Sequence, residues 1–271
     1  MKTLKRIAAG ILSAALLLGM TSCAAKQTEA SAEADTAAFT TVESGKLIMA
    51  TNAFFPPYEY YEGEKIVGID VEIATAVAQK LGLELVIEDV EFDSIIAGVQ
   101  SGKYDIGCAG MTVTEDRLKS VNFSTPYATG IQSIIVAADS EITDIDTLVN
   151  GDYKVGVQSG TTGDIYMSAP VEEGGVGEER IERFAKGNDA VIALTTGKIS
   201  AVVIDNEPAK AFVAANPGLK ILETPYTVED YAMAINKDNV ALKDAINQAL
   251  KELTDDGTIA AIVNKYIPAE G

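Results

Sequence analysis

Two stretches of the sequence, DSIIAGVQSGKYDIGCAG (93–110) and NDAVIALTTGKISAVVID (188–205), follow one pattern at a constant offset of 95 residues. Each begins with a polar residue that suits a helix N-cap, continues with apolar residues at helical spacing, turns at Gly-Lys and ends in a short apolar strand. The first copy ends at Gly110 and the second at Asp205. Because ligands of α/β sheets bind at the carboxyl ends of strands, the repeat predicts two lobes of similar build, each with a polar edge.

The chain on either side of these repeats alternates between strand and helix patterns. One helix is predicted to begin at Asp70 as its N-cap, and another at Thr114, with Arg117 in its first turn. Two further helices are predicted from Asn239 towards the C-terminus. This rhythm predicts an α/β architecture with parallel sheets.

The N-terminal residues have the features of a bacterial secretory signal. Residues 1–22 combine a basic start with an apolar run of roughly 14 residues, which is shorter than a membrane-spanning helix needs. The run ends in MTSC, which resembles a lipobox, so Cys23 is the expected lipidation site. An ordinary secretory signal beside an incidental cysteine is the alternative. Residues 23–44 lack apolar periodicity and are expected to form a flexible tether, which predicts a protein anchored by lipid to the outer face of the bacterial cell membrane.

The composition excludes several classes of function. The chain of 271 residues has a formal net charge of −19, and such an acidic surface repels the phosphates of nucleic acids. It contains no histidine, which is the commonest general base and metal ligand, and we expect neither a metal site nor a cofactor. Cys108 lies in an apolar segment and is expected to be a buried thiol.

Six segments of the chain carry a resemblance to a known family. They are ATNAFFPPYEY (50–60), VGIDVEI (67–73), SGKYD (101–105), AGMTVTEDR (109–117), NFSTPY (122–127) and VGVQSGTT (155–162). In this order they resemble the polar-amino-acid branch of the bacterial extracellular solute-binding proteins, family 3, over about residues 45–268.

The resemblance implies a periplasmic-binding-protein-like clamshell of two α/β lobes joined by two crossover segments. Lobe 1 is expected to comprise residues 45–127 and 230–268, and lobe 2 is expected to comprise residues 132–225. Residues 128–131 and 226–229 are expected to form the hinge.

The resemblance also implies a site for a free amino acid. Arg117 is expected to bind the ligand carboxylate, since its planar guanidinium donates two parallel hydrogen bonds, and Asp205 is expected to bind the ammonium. The other expected ligand contacts are Asn52, Phe55, Phe92, Ala109, Gly110, Thr112, Gln158, Thr161 and Thr162. Simpler roles stay open: a solvated Arg117 paired with Glu115 or Asp116, helix capping by Asp205 and Thr162, and core packing by Phe55 and Phe92.

Specificity is expected to depend on Asn52. Relatives that bind cationic side chains often carry an acid at this position, and burying a cation without a counter-charge is costly. The neutral Asn52 therefore favours a polar, uncharged ligand, unless Glu59 folds inward and supplies a charge.

The expected function is extracytoplasmic capture of a free amino acid by a monomer, for delivery to an ABC-type permease. An enzyme on the same scaffold, similar to cyclohexadienyl dehydratase, is one alternative, and it would need an acid or base other than histidine. A sensing module that binds the same ligand is the second alternative.

Overall fold

Strands and helices alternate along residues 39–222 and 227–268, which are the residues that the computed structural model describes. The strands are β1 Lys46–Thr51, β2 Phe54–Phe55, β3 Glu59–Glu62, β4 Lys65–Val67, β5 Glu84–Asp89, β6 Ile106–Gly107, β7 Val121–Phe123, β8 Ala128–Ala137, β9 Val155–Gln158, β10 Ile181–Phe184, β11 Ala201–Asp205, β12 Leu219–Ile221, β13 Thr227–Tyr231 and β14 Ala234–Asn236. The helices are α1 Ile69–Lys80, α2 Ile95–Gln100, α3 Glu115–Ser120, α4 Ile145–Asn150, α5 Thr162–Ser168, α6 Gly187–Thr195, α7 Asn206–Ala215, α8 Val240–Asp255 and α9 Thr258–Tyr266. The predicted signal peptide, Cys23 and most of the predicted tether lie outside the described residues.

Two five-strand layers share one topology. The strand order is β5-β1-β6-β14-β7 in the first sheet and β10-β9-β11-β8-β12 in the second. In both sheets the first three strands are parallel, and the fourth is antiparallel to its two neighbours. The two copies of the sequence repeat occupy equivalent places, as α2–β6 in one sheet and α6–β11 in the other. The prediction of two α/β lobes of similar build is therefore confirmed.

The expectation of parallel sheets was wrong, because each sheet receives one strand from a chain segment that has crossed from the other lobe. β8 follows β7 of the first sheet but pairs in the second, and β14 returns to the first sheet. β8 is antiparallel to β11, and β14 is antiparallel to β6. β13 lies antiparallel to the first half of β8, from Ala128↔Tyr231 to Gln132↔Thr227. Two paired strands thus run side by side where the chain passes between the sheets.

Three acidic or amide residues that were predicted to cap helices do not cap them. α1 begins at Ile69, one residue before Asp70, and its N-cap position is Gly68. Asp93 lies within a short 3-10 turn and accepts a hydrogen bond from Ser159, while Asn188 lies inside α6. Long-range donors compete with the nearby backbone for the side chains of Asp70 and Asp93, and a local pattern cannot show them.

The predicted cap at Thr114 is confirmed, and Asn239, near which a helix was predicted to begin, also caps its helix. The side chain of Thr114 accepts a hydrogen bond from the backbone N–H of Arg117, and that of Asn239 accepts one from Leu242. The thiol of Cys108 is fully buried in the core, as predicted.

A small antiparallel sheet of β2, β3 and β4, which the sequence pattern did not predict, lies between β1 and α1 in the chain. Its exit into α1 passes through Gly68, whose φ of 132° and ψ of −177° suit only glycine. A Cβ atom at Gly68 would overlap the backbone carbonyl of Tyr58. This close approach sets the position of α1 relative to β3.

We predict that Gly68→Ala lowers the free energy of unfolding by about 3 kcal/mol or more, since backbone strain of about 1–3 kcal/mol adds to a clash with immobile main-chain atoms. Gly63→Ala is the matched control, because its φ is 64° and nothing lies within 4 Å of the added Cβ. That control should cost only about 1–2 kcal/mol. Urea unfolding followed by circular dichroism checks both, and equal losses for the two variants would contradict the proposed clash.

Candidate ligand-binding site

One cavity between the two sheets brings together all eleven residues that were predicted to contact a ligand. The space inside it that is open to the centre of a water-sized sphere is about 20 Å³. Its lining consists of Asn52, Phe55, Glu59, Phe92, Ala109, Gly110, Thr112, Arg117, Gln158, Thr161, Thr162 and Asp205. Glu59 is the one lining residue outside the predicted set. Residues of both halves of the repeat therefore face one space, while their role as ligand contacts stays a prediction.

Arg117 reaches the cavity from the first turn of α3, where Thr114 fixes the start of the helix. Its guanidinium is 8% exposed and donates from Nη1 to the carbonyl of Thr112 at 2.7 Å and from Nη2 to the carbonyl of Gly160 at 3.0 Å. The ring of Phe92 stacks on it, with 5.4 Å between the guanidinium carbon and the ring centroid. The first carbonyl belongs to the same lobe and the second to the opposite one, so Arg117 joins the lobes.

The guanidinium of Arg117 is a buried cation without a carboxylate partner. Within the described ranges no carboxylate oxygen lies within 4.0 Å of its nitrogens, and Asp116 pairs with Lys119 instead. Burial lowers the pKa of Arg117, while the more distant carboxylates of Glu229 and Asp205 act in the opposite direction. The simpler reading of Arg117 as a solvated helix charge was wrong. An anion on the cavity side would complete its coordination.

Asp205 ends β11 in the opposite lobe, and its side chain does not cap α7. Its carboxylate accepts a hydrogen bond from Gln132 Nε2 at 2.7 Å and another from the hydroxyl of Tyr231. Burial, followed by the nearby charge of Glu229, raises the pKa of Asp205 to about 7. The Tyr231 hydroxyl lies against bare backbone at Gly130, where any Cβ atom would overlap it. A cation beside Asp205 would stabilise its ionised form.

Glu229, on β13, is a residue of the site that the sequence did not reveal. Its Oε2 accepts hydrogen bonds from the hydroxyls of Thr112 and Thr162, both at 3.0 Å, and from Gln132 Nε2 at 3.1 Å. Thr161, not Thr162, caps α5, so the Thr162 hydroxyl donates to Glu229 at the cavity lining instead. No local pattern marks Glu229 or Gln132, because only the pairing of β13 with β8 places them side by side.

The amides of Asn52 and Gln158 bond to each other across the cleft. Gln158 Nε2 donates to Asn52 Oδ1 at 2.9 Å, and Asn52 Nδ2 donates to the carbonyl of Val90 at 2.8 Å. The ring of Phe55 packs over Gly110, where an added Cβ would lie 2.7 Å from Cε1 of that ring. Both aromatic residues of the predicted set thus line the cavity, and Asn52 has its polar atoms engaged.

Further contacts between the lobes surround the cavity. The hydroxyl of Ser159 donates to Asp93 at 3.0 Å, and the ammonium of Lys186 lies 3.5 Å from the centroid of the Phe54 ring. Together with the bond from Arg117 to Gly160, these contacts define a closed arrangement of the lobes.

Buried carboxylates outnumber the one buried guanidinium around this space. Glu59, Asp70, Asp205 and Glu229 are each at most 7% exposed. One oxygen of Glu59, one of Asp70 and one of Glu229 are buried without a hydrogen-bond partner. In the described part of the chain, no three His, Cys, Asp or Glu side chains are arranged to hold a metal ion. Of Glu59, Asp70 and Glu229, only Glu59 lines the cavity, where its carboxyl group can meet a cationic group.

The architecture and the cavity together define a two-lobed solute-binding protein. The profile of the bacterial extracellular solute-binding proteins, family 3, matches residues 47–269, and the chain belongs to this family. None of the helices in residues 39–222 and 227–268 has the length and apolarity of a membrane span.

Named relatives of the chain bind amino acids. The arginine-binding extracellular protein ArtP of Bacillus subtilis (strain 168) is 34% identical over 233 residues, covering 84% of this chain and 89% of that protein. The structure of an ancestral arginine-binding protein bound to arginine is 38% identical, with a TM-score of 0.76, over 82% of this chain and 98% of that chain. The arginine-, lysine-, histidine-binding protein ArtJ from Geobacillus stearothermophilus is 31% identical, with a TM-score of 0.76, over 83% of this chain and 96% of that chain. All three are named as binding proteins and not as enzymes.

We predict that Asp205→Asn flattens the dependence of stability on pH. Because the pKa of Asp205 is about 7 in the folded protein and its ordinary value is 3.8, the folded state binds more protons than the unfolded state between these limits. The free energy of unfolding should therefore fall as pH rises from about 4 to 7, by roughly 4 kcal/mol for this group. In Asp205→Asn that contribution is absent.

The measurement is urea unfolding at pH 5 and pH 8, on protein refolded from denaturant so that no ligand is carried along. The matched control is Asp116→Asn, since Asp116 is 80% exposed and should leave the pH dependence unchanged. Identical pH profiles for Asp205→Asn and the unmodified protein would show that Asp205 does not titrate in this range.

Proposed function

We propose that the protein captures a basic amino acid between its two lobes, outside the cytoplasm, and delivers it to an ABC-type permease. The observation that carries this proposal is the charge of the cavity. The guanidinium of Arg117, which has no carboxylate partner, shares the cavity lining with two buried carboxyl groups, those of Glu59 and Asp205. A ligand with one carboxylate and two cationic groups is complementary to this arrangement.

The two charges of the amino-acid backbone have separate partners in this proposal. The ligand carboxylate accepts hydrogen bonds from Arg117, and the hydroxyls of Thr112 and Thr162 lie beside it, held by Glu229. The ligand ammonium binds Asp205 in the opposite lobe. Since Arg117 and Asp205 belong to different lobes, the ligand stabilises the closed arrangement through contacts that the open one lacks.

The ligand side chain extends between Phe55 and Phe92 towards Glu59. The cavity-facing position of Glu59 supplies the counter-charge that a cationic side chain needs. The expectation of an uncharged ligand, which was based on Asn52, finds no support here, because the Asn52 amide is engaged by Gln158 and Val90. The named relatives, which bind arginine or a set of basic amino acids, support the same choice.

The remaining parts of the proposal concern the cell and the motion. A signal peptide at residues 1–22, lipidation of Cys23 and a tether before residue 39 would hold a monomer at the outer face of the membrane. The expectation that the tether extends to residue 44 was wrong, because the N–H of Val42 donates to Asp105 and the amide of Asn239 donates to the carbonyl of Thr40. The hinge is assigned to residues 128–131 and 226–229, and the pairing of β8 with β13 supports this place. The extracellular character of the family supports the compartment.

We predict that the purified protein binds L-arginine more tightly than L-glutamine by at least about tenfold, since an uncharged amide can donate hydrogen bonds to Glu59 but brings no positive charge to it. Arg117→Met should weaken arginine binding by about 100-fold or more, because the ligand carboxylate loses its only buried cation. Lys119→Met on the same helix is the control, since Lys119 is exposed, and it should bind as the unmodified protein does.

Isothermal titration calorimetry on protein refolded from denaturant measures these affinities. Preference for glutamine over arginine would contradict the basic ligand. Unchanged affinity in Arg117→Met would contradict the assignment of the carboxylate.

A further inference from the structure

We propose that Asp70, which does not line the cavity, sets the charge of Glu59 and thereby couples the capture of a basic amino acid to the release of a proton. This inference rests on the proposed function, because it concerns how the same cavity selects a cationic side chain. It makes Asp70 a positioning residue for specificity, acting through Glu59.

The two residues are neighbours in the fold, because the N–H of Asp70 donates to the carbonyl of Tyr58, the residue before Glu59, at 3.0 Å. Glu59 is 1% exposed and lines the cavity from β3, and Asp70 is fully buried in the first turn of α1. One oxygen of Asp70 accepts hydrogen bonds from the N–H of Gly110 and the hydroxyl of Tyr127, both at 2.7 Å. Its other oxygen, and Oε2 of Glu59, have no donor.

A proton resolves this shortage of donors. Ionised carboxylates are acceptors only, so Glu59 and Asp70 cannot bond to each other when both are charged. With one proton between them, a hydrogen bond joins the two groups, and their interaction is part of what shifts both pKa values. Gly110 and Tyr127 stabilise the charge on Asp70, which places the proton on Glu59.

The surroundings of the pair favour retention of that proton. Burial raises the pKa of Glu59 well above its usual range, and the carboxylates of Asp70, Asp205 and Asp89 add to the effect. Burial also raises the pKa of Asp70. Among the described residues, no lysine or arginine nitrogen lies within 4.0 Å of either group.

The uncharged groups packed around the pair do not supply a cation either. Tyr58, Tyr127 and Cys108 are buried beside it, and burial raises the pKa of each, so all three stay neutral at physiological pH. A cationic ligand side chain would thus be the first positive charge next to Glu59.

The cavity consequently has two forms with different preferences. With the proton, Glu59 presents a neutral carboxyl that can accommodate an uncharged side chain. Without it, Glu59 presents a carboxylate that a guanidinium or ammonium group stabilises. Binding of the cation expels the proton, so affinity for a basic amino acid rises with pH, whereas affinity for a neutral analogue gains nothing from this pair.

Arginine and its neutral ureido analogue citrulline separate this effect from the titration of Asp205. Both ligands carry the same ammonium and carboxylate, so any proton released at Asp205 cancels in the ratio of their dissociation constants. The dissociation constant of citrulline divided by that of arginine should rise by up to about tenfold per pH unit over the range in which the free protein holds a proton on Glu59 and Asp70. Titration calorimetry from pH 5.5 to 8.5, in buffers of different ionisation enthalpy, should show up to about one extra proton released with arginine.

Variants of the pair test the assignment to residues. Glu59→Gln fixes the neutral form, so the ratio should become independent of pH and the extra proton should vanish. Asp70→Asn removes the acidic neighbour and should move the rise in the ratio to lower pH. Tyr127→Phe removes a hydrogen-bond donor from Asp70, and the rise in the ratio should then occur at higher pH. Glu62→Gln is the control, because Glu62 is exposed on the same strand as Glu59, and it should change neither quantity.

The outcomes distinguish this inference from the function on which it rests. If arginine binds but the ratio is flat with pH in the unmodified protein, proton coupling is overturned and the proposed function stands. If neither ligand binds at any pH, both are overturned. If Asp70→Asn and Tyr127→Phe weaken both ligands equally without moving the pH profile, Asp70 has only a structural role and its assignment is overturned.

Discussion

The buried guanidinium of Arg117 is the constraint on which the site depends. A charge removed from water destabilises the protein unless other groups replace its hydration. Two backbone carbonyls, one from each lobe, supply part of that replacement and at the same time require the lobes to meet. The remaining hydrogen-bond partners of the guanidinium must come from the side that faces the cavity. Closure of the lobes and demand for an anionic group are therefore two consequences of one buried cation.

Sequence signals within a few residues were sufficient to predict the elements that carry Arg117 and Asp205. Thr114 caps α3 through its own side chain, which fixes Arg117 in the first turn without help from distant residues. The sequence repeat predicted the matching α2–β6 and α6–β11 units, and Asp205 ends the second of these. Signals that act within one turn of helix or one strand survive in the fold because nothing distant competes with them.

The parts that could not be predicted depend on residues far apart in the chain. Asp70 has the appearance of a helix cap, yet its partners Gly110 and Tyr127 lie 40 and 57 residues away. Glu229 acquires its role only through the pairing of two crossing strands, which also made the sheets mixed. The preference for an uncharged ligand failed to find support for the same reason: it depended on whether Glu59 folds inward, and only the packed fold shows that Glu59 lines the cavity.

The contact between Gly130 and Tyr231 has a consequence for how such a protein can diverge. The tyrosine hydroxyl that supports Asp205 rests on a backbone position of β8 that has no room for a side chain. A larger residue at Gly130 would displace the tyrosine that supports Asp205. Under the proposed function, in which Gly130 belongs to the hinge and Asp205 binds the ligand ammonium, a mutation that alters the opening of the lobes at this position also alters the binding of the amino group.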